Sequence, residues 1–328
     1  MLSVIIPAYN EEDGILICIE ELHQVLTENQ VIDQFEIIIL DDHSSDSTYQ
    51  EVKMIERANI RCVRLSRRSG SHVALRAGLN LAKGESVLCM AADRQDDPSA
   101  ISEMLKKWIG GYDVVWALRK DRKKESILIR IPAFAFYKLF KILTSGEGNS
   151  IDLSRADFFL LDRKVVNAIN SCSERNSSLL GLINWMGFNQ VGVEYCRRER
   201  SHGFSKWNFK SRWRLAKDWI VAFSGLPIKA ASLLGISISI LGVALAVWFA
   251  IERILYSHVL PGWASTVVFV LTLGGIQLTV LGIIGGYIWR NLDESRSRPL
   301  YFVENDTTED GELKCQTRRR FLANQLTT

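Results

Sequence analysis

The chain has 328 residues, of which 47% are hydrophobic and 23% are charged, and its formal net charge is +3 at pH 7. This composition is ordinary for a folded protein and excludes a disordered chain. The small net charge gives no ground for nucleic-acid binding, and none is expected. The six cysteines are scattered without a C-x-x-C pair, which predicts reduced thiols rather than a disulfide framework or a zinc site.

Up to about residue 118, short apolar runs alternate with longer amphipathic segments. The apolar runs predict strands at Leu2–Ile6, Phe35–Leu40, Ile60–Leu65, Ser86–Ala91 and Asp113–Leu118. The amphipathic segments predict helices near 12–28, 46–57, 72–82 and 98–109, the last of which begins at Pro98. A strand and helix over Asp157–Asn170 and an edge strand over Gln190–Tyr195 follow. Apolar strands that alternate with helices predict an α/β fold with a mostly parallel sheet.

Polar residues follow four of the predicted strands. These clusters are Pro7–Glu12, Asp41-Asp42, Ala91–Asp97 and Arg119–Lys124. In open α/β sheets, ligands bind beyond the C-terminal ends of the strands. The sequence therefore predicts that the four clusters line one pocket.

Two stretches near the C-terminus, about 230–251 and 264–289, contain no charged side chain. Each reaches the roughly 20 apolar residues that a membrane span requires, so the sequence predicts a two-helix transmembrane hairpin. Arginine and lysine flank both outer ends, which predicts an integral membrane protein with its α/β domain and both termini in the cytoplasm. Gly282 and Gly286 form a G-x-x-x-G pattern, which is compatible with packing inside the hairpin or with a homo-oligomer.

Two further segments have a composition that is typical of segments lying at a membrane surface. Residues 126–144 are apolar but contain three basic residues and a proline, which favours an amphipathic helix on the membrane over a buried core helix. Residues 206–224 mix tryptophan with basic side chains, as in the headgroup layer. The predicted organisation is a catalytic domain over 1–200, interface helices over 201–229, the hairpin over 230–289, and a partly disordered tail over 290–328 that becomes flexible from about Glu304.

Three motifs, Pro7-Ala8-Tyr9-Asn10-Glu11, the segment from Asp41 to Thr48, and Ala92-Asp93-Arg94-Gln95-Asp96, strongly resemble those of family 2 glycosyltransferases. Together with the hairpin, they make the chain similar to the polyprenyl-phosphate branch, which includes dolichol-phosphate mannosyltransferase and bactoprenol glucosyltransferase. The resemblance covers residues 2 to 303. It implies a GT-A (Rossmann-like) domain that binds a UDP- or GDP-linked sugar and an undecaprenyl or dolichyl phosphate acceptor.

The resemblance also implies roles for the residues at the donor end of the pocket. Pro7, Tyr9, Glu11 and Asp42 match nucleoside-binding positions, although the segment from Asp42 to Thr48 is equally suited to capping a helix. Asp93 and Gln95 match the metal-binding triplet, and their oxygen ligands suit Mg²⁺ or Mn²⁺.

At the acceptor end, Arg119 and Arg122 match positions that face the lipid phosphate, and solvated surface arginines are the alternative. Asp157 matches a carboxylate beside the reacting centre. Gly203-Phe204-Ser205-Lys206-Trp207 resembles a family loop in which Ser205 and Lys206 would bind phosphate. Asp157, Arg119, Arg122 and Lys206 are the expected catalytic residues.

The chain departs from the family pattern at three places. Ala91 replaces the first carboxylate of the metal motif, Phe159 replaces an arginine, and Arg67–Ser71 differs from the usual loop after the third strand. The missing ligand could be offset by Asp96, by Asp97, or by the donor's phosphates with water. We expect an inverting transferase on the cytosolic face. The alternative is a catalytically impaired nucleotide-binding homologue that acts as a regulatory or scaffold subunit.

Overall fold

The structure is a computed structural model. It describes residues 1–29, 31–120, 155–172, 174, 178–198 and 262–307, together with 231, 233, 235–238, 240–242, 244, 245, 247, 248 and 251. For Asp157 and for part of 263–272 only the backbone is described. The described residues fall into two units, one containing the sheet with its helices and the other containing the long helix of residues 263–295.

The described residues form one eight-stranded sheet, whose spatial order is β7-β5-β6-β4-β1-β2-β3-β8. The strands are β1 (Leu2–Ala8), β2 (Phe35–Asp41), β3 (Ile60–Leu65), β4 (Ser86–Cys89), β5 (Val114–Arg119), β6 (Ala156–Asp162), β7 (Gln190–Tyr195) and β8 (Val303–Asp306). All five strands predicted up to residue 118 are present within a few residues of their expected ends. β7 lies at one edge, as predicted.

The sheet is mixed, which corrects the prediction of a mostly parallel sheet in one respect. β1 pairs in parallel with β2 and β4, as do β2 with β3 and β5 with β7. β6, however, runs antiparallel between β4 and β5, and β8 runs antiparallel beside β3. Apolar side chains on both faces mark a strand as buried but do not encode its direction.

Most helices lie at the predicted places, but the short helix over Leu179–Trp185 was not predicted. In chain order they are α1 (Ile15–Thr27), α2 (Thr48–Lys53), α3 (Ser71–Leu81), α4 (Ile101–Ile109), α5 (Arg163–Ser171), α6 (Leu179–Trp185) and α7 (Trp263–Ser295). A 3₁₀ turn over Pro98–Ala100 precedes α4, and Asp97 caps it by accepting a hydrogen bond from the backbone N–H of Ser99 at 3.0 Å. The prediction that Pro98 begins a helical segment is confirmed.

The central strands bury their side chains on both faces. On one face, Val4 and Ile37 pack into a core with Ile19 of α1, and all three are at most 1% exposed. On the other face α3 lies against the sheet at Gly78, where an added Cβ would lie 2.4 Å from Ile5 Cγ2. Because each buried aliphatic side chain contributes about 1.5–3 kcal/mol, this layered core fixes the strands whose ends carry the site.

α7 covers the second predicted span, 264–289, and continues beyond it to Ser295. The described residues between 231 and 251 are helical as well. Within the part of the chain that the structure describes, no helix combines the length and apolar character that crossing a membrane requires. The hairpin stays a prediction, and the predicted interface segments 126–144 and 201–229 lie outside the described residues.

Strand β8 was not predicted. The polar sequence from about Glu304 predicts a flexible tail, whereas Val303–Asp306 is a strand that pairs with β3. Its sequence is polar, and three of its four residues are at least partly exposed. Such a strand has almost no hydrophobic pattern, because a sheet edge gives it only one neighbour and little core to cover.

Candidate active site

The predicted polar clusters meet at one edge of the sheet. β1 to β5 and β7 all point in the same direction, since β6 is antiparallel to both β4 and β5. The residues that follow these strands therefore lie along a common edge. For the residues that the structure describes, the strand-end clusters lie along one edge of the sheet; that they line one pocket stays a prediction.

The loops after β1 and β2 are joined by hydrogen bonds. Asn10, whose φ of 53° is left-handed, donates its backbone N–H to Ser44 Oγ at 3.0 Å and accepts the N–H of Ser45 at 2.9 Å. The backbone N–H of Glu11 donates to Thr48 Oγ1 at 2.9 Å. Asparagine tolerates the left-handed region better than most residues. These bonds fix Tyr9 and Glu11, two predicted nucleoside-binding residues, against the loop that carries Asp42.

Asp46 makes the side-chain bonds at the start of α2. It accepts hydrogen bonds from the N–H of Thr48 at 3.0 Å and from its hydroxyl at 2.6 Å. Ser47 occupies the N-cap position without a side-chain cap bond, and the Ser45 hydroxyl is directed to Asn10. The capping alternative for this segment is thus correct for Asp46 and wrong for Ser45 and Ser47.

Asp42 links the loop after β2 to the loop after β3. Its side chain is 4% exposed, and its two oxygens accept the backbone N–H groups of Ser69 at 2.6 Å and Gly70 at 2.8 Å. Burial raises the pKa of Asp42 above its usual range, although both hydrogen bonds and the nearby Arg68 act in the opposite direction. Asp42 therefore organises a neighbouring loop instead of capping α2, and its predicted contact with the nucleoside stays a prediction.

Tyr9 lies under the guanidinium group of Arg68, a residue for which no role was predicted. The guanidinium carbon of Arg68 is 4.0 Å from the centre of the Tyr9 ring, which is a cation–π contact. Pro7 is a half-buried residue of β1, paired in register with Leu40. Arg68 belongs to the loop where the chain departs from the family pattern. Only its position after β3 indicated, from the sequence, that it could lie at the site.

Asp93 and Gln95, the predicted metal ligands, lie in the loop that follows β4. Asp93 Oδ1 accepts the backbone N–H of Gln95 at 3.2 Å, and Arg94 between them has a left-handed φ of 58°. The side-chain oxygen of Gln95 accepts a hydrogen bond from Arg197 Nη2 at 2.5 Å. The two residues are brought together, but the Gln95 oxygen already has a cationic partner.

Asp96 and Asp97, which were suggested to offset the carboxylate that Ala91 lacks, both have structural partners. Asp96 is 3% exposed, and its oxygens accept hydrogen bonds from the N–H of Ala91 at 3.0 Å and from the Tyr195 hydroxyl at 3.2 Å. Asp97 caps the turn before α4 and pairs with Arg198 at 2.9 Å. Both carboxylates have structural partners, so the suggestion that either offsets the missing ligand is not supported.

The carboxylate and amide oxygens of this loop determine whether the site could bind a divalent cation. Among the described residues no group of three or more histidine, cysteine or acidic side chains could enclose a metal ion. Asp93 is the carboxylate of the motif that neither caps a helix nor is buried. Mg²⁺ is commonly held by one or two carboxylates together with substrate phosphates and water. The residues fit a cation that arrives with a diphosphate, and they do not form a complete protein site.

The acceptor end of the site is described only in part. Arg119 ends β5, and its carbonyl accepts a hydrogen bond from Arg155 Nε at 2.8 Å. Asp157 is the extra residue of a bulge in β6, because Ala156 pairs with Leu118 and Phe158 pairs with Ala117. Bulges frequently redirect a side chain beside an active site. The predicted role of Asp157 beside the reacting centre stays a prediction. Arg122, Ser205 and Lys206 lie outside the described residues.

Two basic residues at the end of β7 were also missed. Arg197 contacts Gln95, while Arg198 forms ion pairs with Asp97 and with Glu21 of α1. Arg198 also donates its backbone N–H to the carbonyl of Gln95 at 3.0 Å. The rule that located the other clusters would have found this pair, since both arginines directly follow a strand that points to the same edge.

Comparison with known proteins agrees with this geometry. The family model described as Glycosyl transferase family 2 matches residues 3–170. An uncharacterized glycosyltransferase of Synechocystis sp. is 40% identical over 306 residues, which are 93% of this chain and 95% of that protein. The bactoprenol glucosyl transferase of Shigella phage SfV is 33% identical over 309 residues, covering 93% and 98% of the two chains.

Solved structures resemble the chain more distantly. Mannosyl-3-phosphoglycerate synthase from Rubrobacter xylanophilus has a TM-score of 0.48 and 18% identity, and the match covers 66% of this chain and 71% of that one. The family model and the two relatives show the family of this chain, and the solved structure is not needed for that assignment.

The mixed α/β sheet, with polar loops at the ends of its strands, has the GT-A type of architecture that the resemblance implied, and it defines the class as a glycosyltransferase. The chain belongs to glycosyl transferase family 2 and is a hexosyltransferase. The resemblance to the bactoprenol glucosyltransferase type is confirmed.

Proposed function

We propose that this enzyme transfers a sugar from a UDP- or GDP-linked donor to a polyprenyl phosphate, undecaprenyl or dolichyl, at the cytosolic face of a membrane. The observation that carries the proposal is the 33% identity, over 93% of this chain, to a protein named bactoprenol glucosyl transferase. The strand-end site supports it, because Tyr9, Glu11 and Asp42 lie on two loops that are joined by hydrogen bonds.

The acceptor chemistry makes a strong general base unnecessary. The second pKa of a phosphate monoester is near 6, so the acceptor is largely a dianion at neutral pH. Its oxygen forms a bond to the anomeric carbon while the bond from that carbon to the donor's diphosphate breaks, and the nucleoside diphosphate leaves. We propose one in-line displacement with inversion. Arg119, Arg122, Ser205 and Lys206 would bind the acceptor phosphate, and Asp157 would lie beside the reacting centre.

The leaving diphosphate requires neutralisation. Asp93, with Gln95 beside it, would contact an Mg²⁺ or Mn²⁺ ion that arrives bound to the donor, and the ion would supply positive charge to the leaving group. For Gln95 to take part, its side-chain oxygen would first have to leave Arg197. We therefore expect weak metal binding in the absence of donor and clear metal dependence of transfer.

Membrane attachment belongs to the same proposal. The uncharged stretches 230–251 and 264–289 would cross the membrane, with the catalytic domain and both termini in the cytoplasm. The stretch from Gly282 to Gly286 would allow close helix packing, either within the hairpin or between two copies. A lipid acceptor provides the functional reason, since its phosphate stays at the membrane surface.

The test is transfer from a panel of radiolabelled nucleotide sugars to undecaprenyl phosphate in detergent, with Mg²⁺, Mn²⁺ or EDTA. The proposal predicts a lipid-extractable product that disappears with EDTA and falls at least about a hundredfold in Asp93→Asn. Asp33→Asn is the matched control, because Asp33 is exposed at the opposite end of the sheet, just before β2. A product that retains the donor's anomeric configuration would refute the inversion.

The second candidate is a catalytically impaired homologue that binds nucleotide as a regulatory or scaffold subunit. The observation that favours it is that Asp96 and Asp97 already form hydrogen bonds or ion pairs within the protein. With those bonds intact, neither carboxylate substitutes for the metal ligand that is absent at Ala91. Metal-dependent nucleotide binding without any transfer, over the whole donor panel, would establish this candidate and reject the first.

A further inference from the structure

Strand β8 is attached firmly to β3 although it is short and polar. Two backbone hydrogen bonds flank the paired segment, from Ser66 N–H to the Phe302 carbonyl at 2.9 Å and from Thr307 N–H to the Cys62 carbonyl at 3.1 Å. Asp306 is 6% exposed and forms a two-pronged ion pair with Arg61. Because a shift by one residue would turn every side chain of β8 to the other face, this pair fixes the register of the strand.

The register brings Glu304 to the predicted nucleotide site. Glu304 Oε2 accepts a hydrogen bond from Arg64 Nε at 3.0 Å and lies 3.5 Å from His43 Nδ1. His43 is the residue after Asp42, has a left-handed φ of 59°, and its ring nitrogen is 3.1 Å from the Leu65 carbonyl. β8 therefore contacts the loop that carries a predicted nucleoside-binding carboxylate.

Arg64, the partner of Glu304, also contacts the loop that follows β2. Its side chain is 16% exposed, with Nη1 3.2 Å from Asp41 Oδ2 and Nη2 donating to the Ser44 carbonyl at 3.1 Å. Its guanidinium carbon also lies 5.1 Å from the Tyr49 ring centre. Glu304 completes the set of partners that orient this guanidinium group. Arg64 in turn contacts both ends of the segment from Asp41 to Ser44.

The same segment positions the loop that follows β1. The Ser44 N–H donates to Asp41 Oδ1 at 3.1 Å, and the Ser44 hydroxyl accepts the N–H of Asn10 at 3.0 Å. Asp42 lies inside this segment. A continuous series of contacts thus leads from Glu304 through Arg64 to both predicted nucleoside-binding loops.

We propose that Glu304 is a positioning residue for the nucleotide-sugar donor, and that β8 is part of the donor site rather than a cover for a sheet edge. This inference rests on the proposed function, since it deepens the account of the donor site. Edge strands are often covered simply to prevent association of exposed edges, and that role would need only the backbone pairing and the pair between Arg61 and Asp306. Glu304 contributes to neither, so its loss separates the two roles.

The experiment compares Glu304→Gln with wild-type full-length enzyme in detergent. Nucleoside diphosphate binding is measured by calorimetry over a panel of UDP and GDP, donor KM and kcat are measured by transfer, and stability by thermal unfolding. We expect nucleoside diphosphate affinity to weaken about fivefold, which matches the loss of one partly exposed charged hydrogen bond. Donor KM should rise by a similar factor, with kcat within about twofold and the unfolding midpoint unchanged.

Two further variants make the comparison specific. Glu20→Gln removes one partner of another exposed ion pair, with Arg57 at 2.9 Å, and should leave nucleotide affinity unchanged. Asp306→Asn breaks the register-fixing pair and should lower the unfolding midpoint. Unchanged nucleotide affinity in Glu304→Gln would overturn the inference. So would a loss of affinity accompanied by a loss of stability as large as that of Asp306→Asn.

The two proposals can fail separately. If wild type binds nucleoside diphosphate but transfers no sugar, the proposed function fails, and the affinity of Glu304→Gln still decides the positioning role. If wild type binds no nucleoside diphosphate from the panel, both proposals are overturned.

Discussion

Ala91 is the residue at which the site differs most from its family's pattern. Its backbone N–H donates to the buried Asp96, so the main chain at this position is fixed although the family carboxylate is absent. Metal affinity depends strongly on the number of charged ligands. The backbone at this position is therefore held in place without the family carboxylate.

The first prediction follows for Ala91→Asp. We expect the Mg²⁺ concentration for half-maximal transfer to fall about tenfold, because a second carboxylate beside Asp93 favours the divalent ion. The measurement is a Mg²⁺ titration of transfer at saturating donor. Ala91→Asn, which is nearly the same size without the charge, should change the midpoint much less. An unchanged midpoint in Ala91→Asp would show that no cation lies beside Asp93 during transfer.

His72, in the first turn of α3, should make stability depend on pH. Burial lowers the pKa of His72, and its Nδ1 has no hydrogen-bond partner among the described residues. Because the unfolded chain takes up this proton near the ordinary value of about 6.5 and the folded chain takes it up only at lower pH, acid favours unfolding. The effect of one proton is at most about 1.4 kcal/mol per pH unit.

We predict that the thermal midpoint of wild type falls between pH 7.5 and 5.5 and that His72→Leu falls less. Thermal unfolding of both proteins at the two pH values measures the difference. Equal decreases in the two proteins would mean that His72 is not the group responsible.

The position of a site residue was predictable where it follows a strand. Its role was not predictable where that role depends on a partner distant in sequence. Tyr9 and Asp42 directly follow strands and Asp93 lies in the loop after β4, as predicted, while their roles in binding stay predictions. The role of Asp96 was not predictable, since its partner Tyr195 lies 99 residues further along the chain. A sequence motif identifies a carboxylate, but only the folded chain shows whether its oxygens already have donors.

At the scale of elements, the close approach of α3 and β4 to β1 depends on small residues in the connection between them. Gly84 donates its N–H to Ser3 Oγ at 2.7 Å, and an added Cβ would lie 2.6 Å from the backbone nitrogen of Ser3. Gly192 of β7 is a useful contrast, because an added Cβ there would meet the flexible side chain of Leu118 instead of backbone.

The prediction is that Gly84→Ala lowers the free energy of unfolding by about 1–3 kcal/mol, as overpacking against backbone does. Gly192→Ala should lower it by less than about 1 kcal/mol, because Leu118 can change rotamer. Urea unfolding of the two variants provides the comparison. A larger loss in Gly192→Ala would contradict the account of the contact at β1.

The elements themselves show what periodicity can and cannot predict. Strands and helices up to residue 118 were predicted because each has either a continuous apolar run or an amphipathic repeat. The antiparallel direction of β6 was not, because its pattern is the same in both directions. β8 was missed for a different reason: its four residues, three of them polar, are held in place by Arg61 and Arg64, about 240 residues away in sequence.

On the scale of the whole molecule, the orientation in the membrane can be tested at Cys196. This residue is exposed just after β7, whereas Cys18, Cys62 and Cys89 are buried. Burial raises the pKa of all three buried thiols, that of Cys18 to about 12, so they should react slowly.

In a protein with Cys172 and Cys315 replaced by serine, we predict that a membrane-impermeant maleimide labels inside-out vesicles and does not label intact cells. Cys196→Ser in the same background should abolish the labelling. Labelling of intact cells would refute the cytoplasmic placement of the catalytic domain.

The pairing of β3 with β8 also has a consequence for how the protein is made. The two partners are separated by about 240 residues, and a ribosome adds about 5–20 residues each second. β3 therefore emerges with one edge open and waits on the order of 10 to 50 seconds for its neighbour. Throughout that interval the nascent chain exposes an edge able to associate with other chains. If Glu304 positions the donor site as proposed, a nascent chain gains full donor affinity only after the ribosome has synthesised the two predicted membrane spans. Catalysis would therefore begin only in chains whose membrane-binding segments are complete.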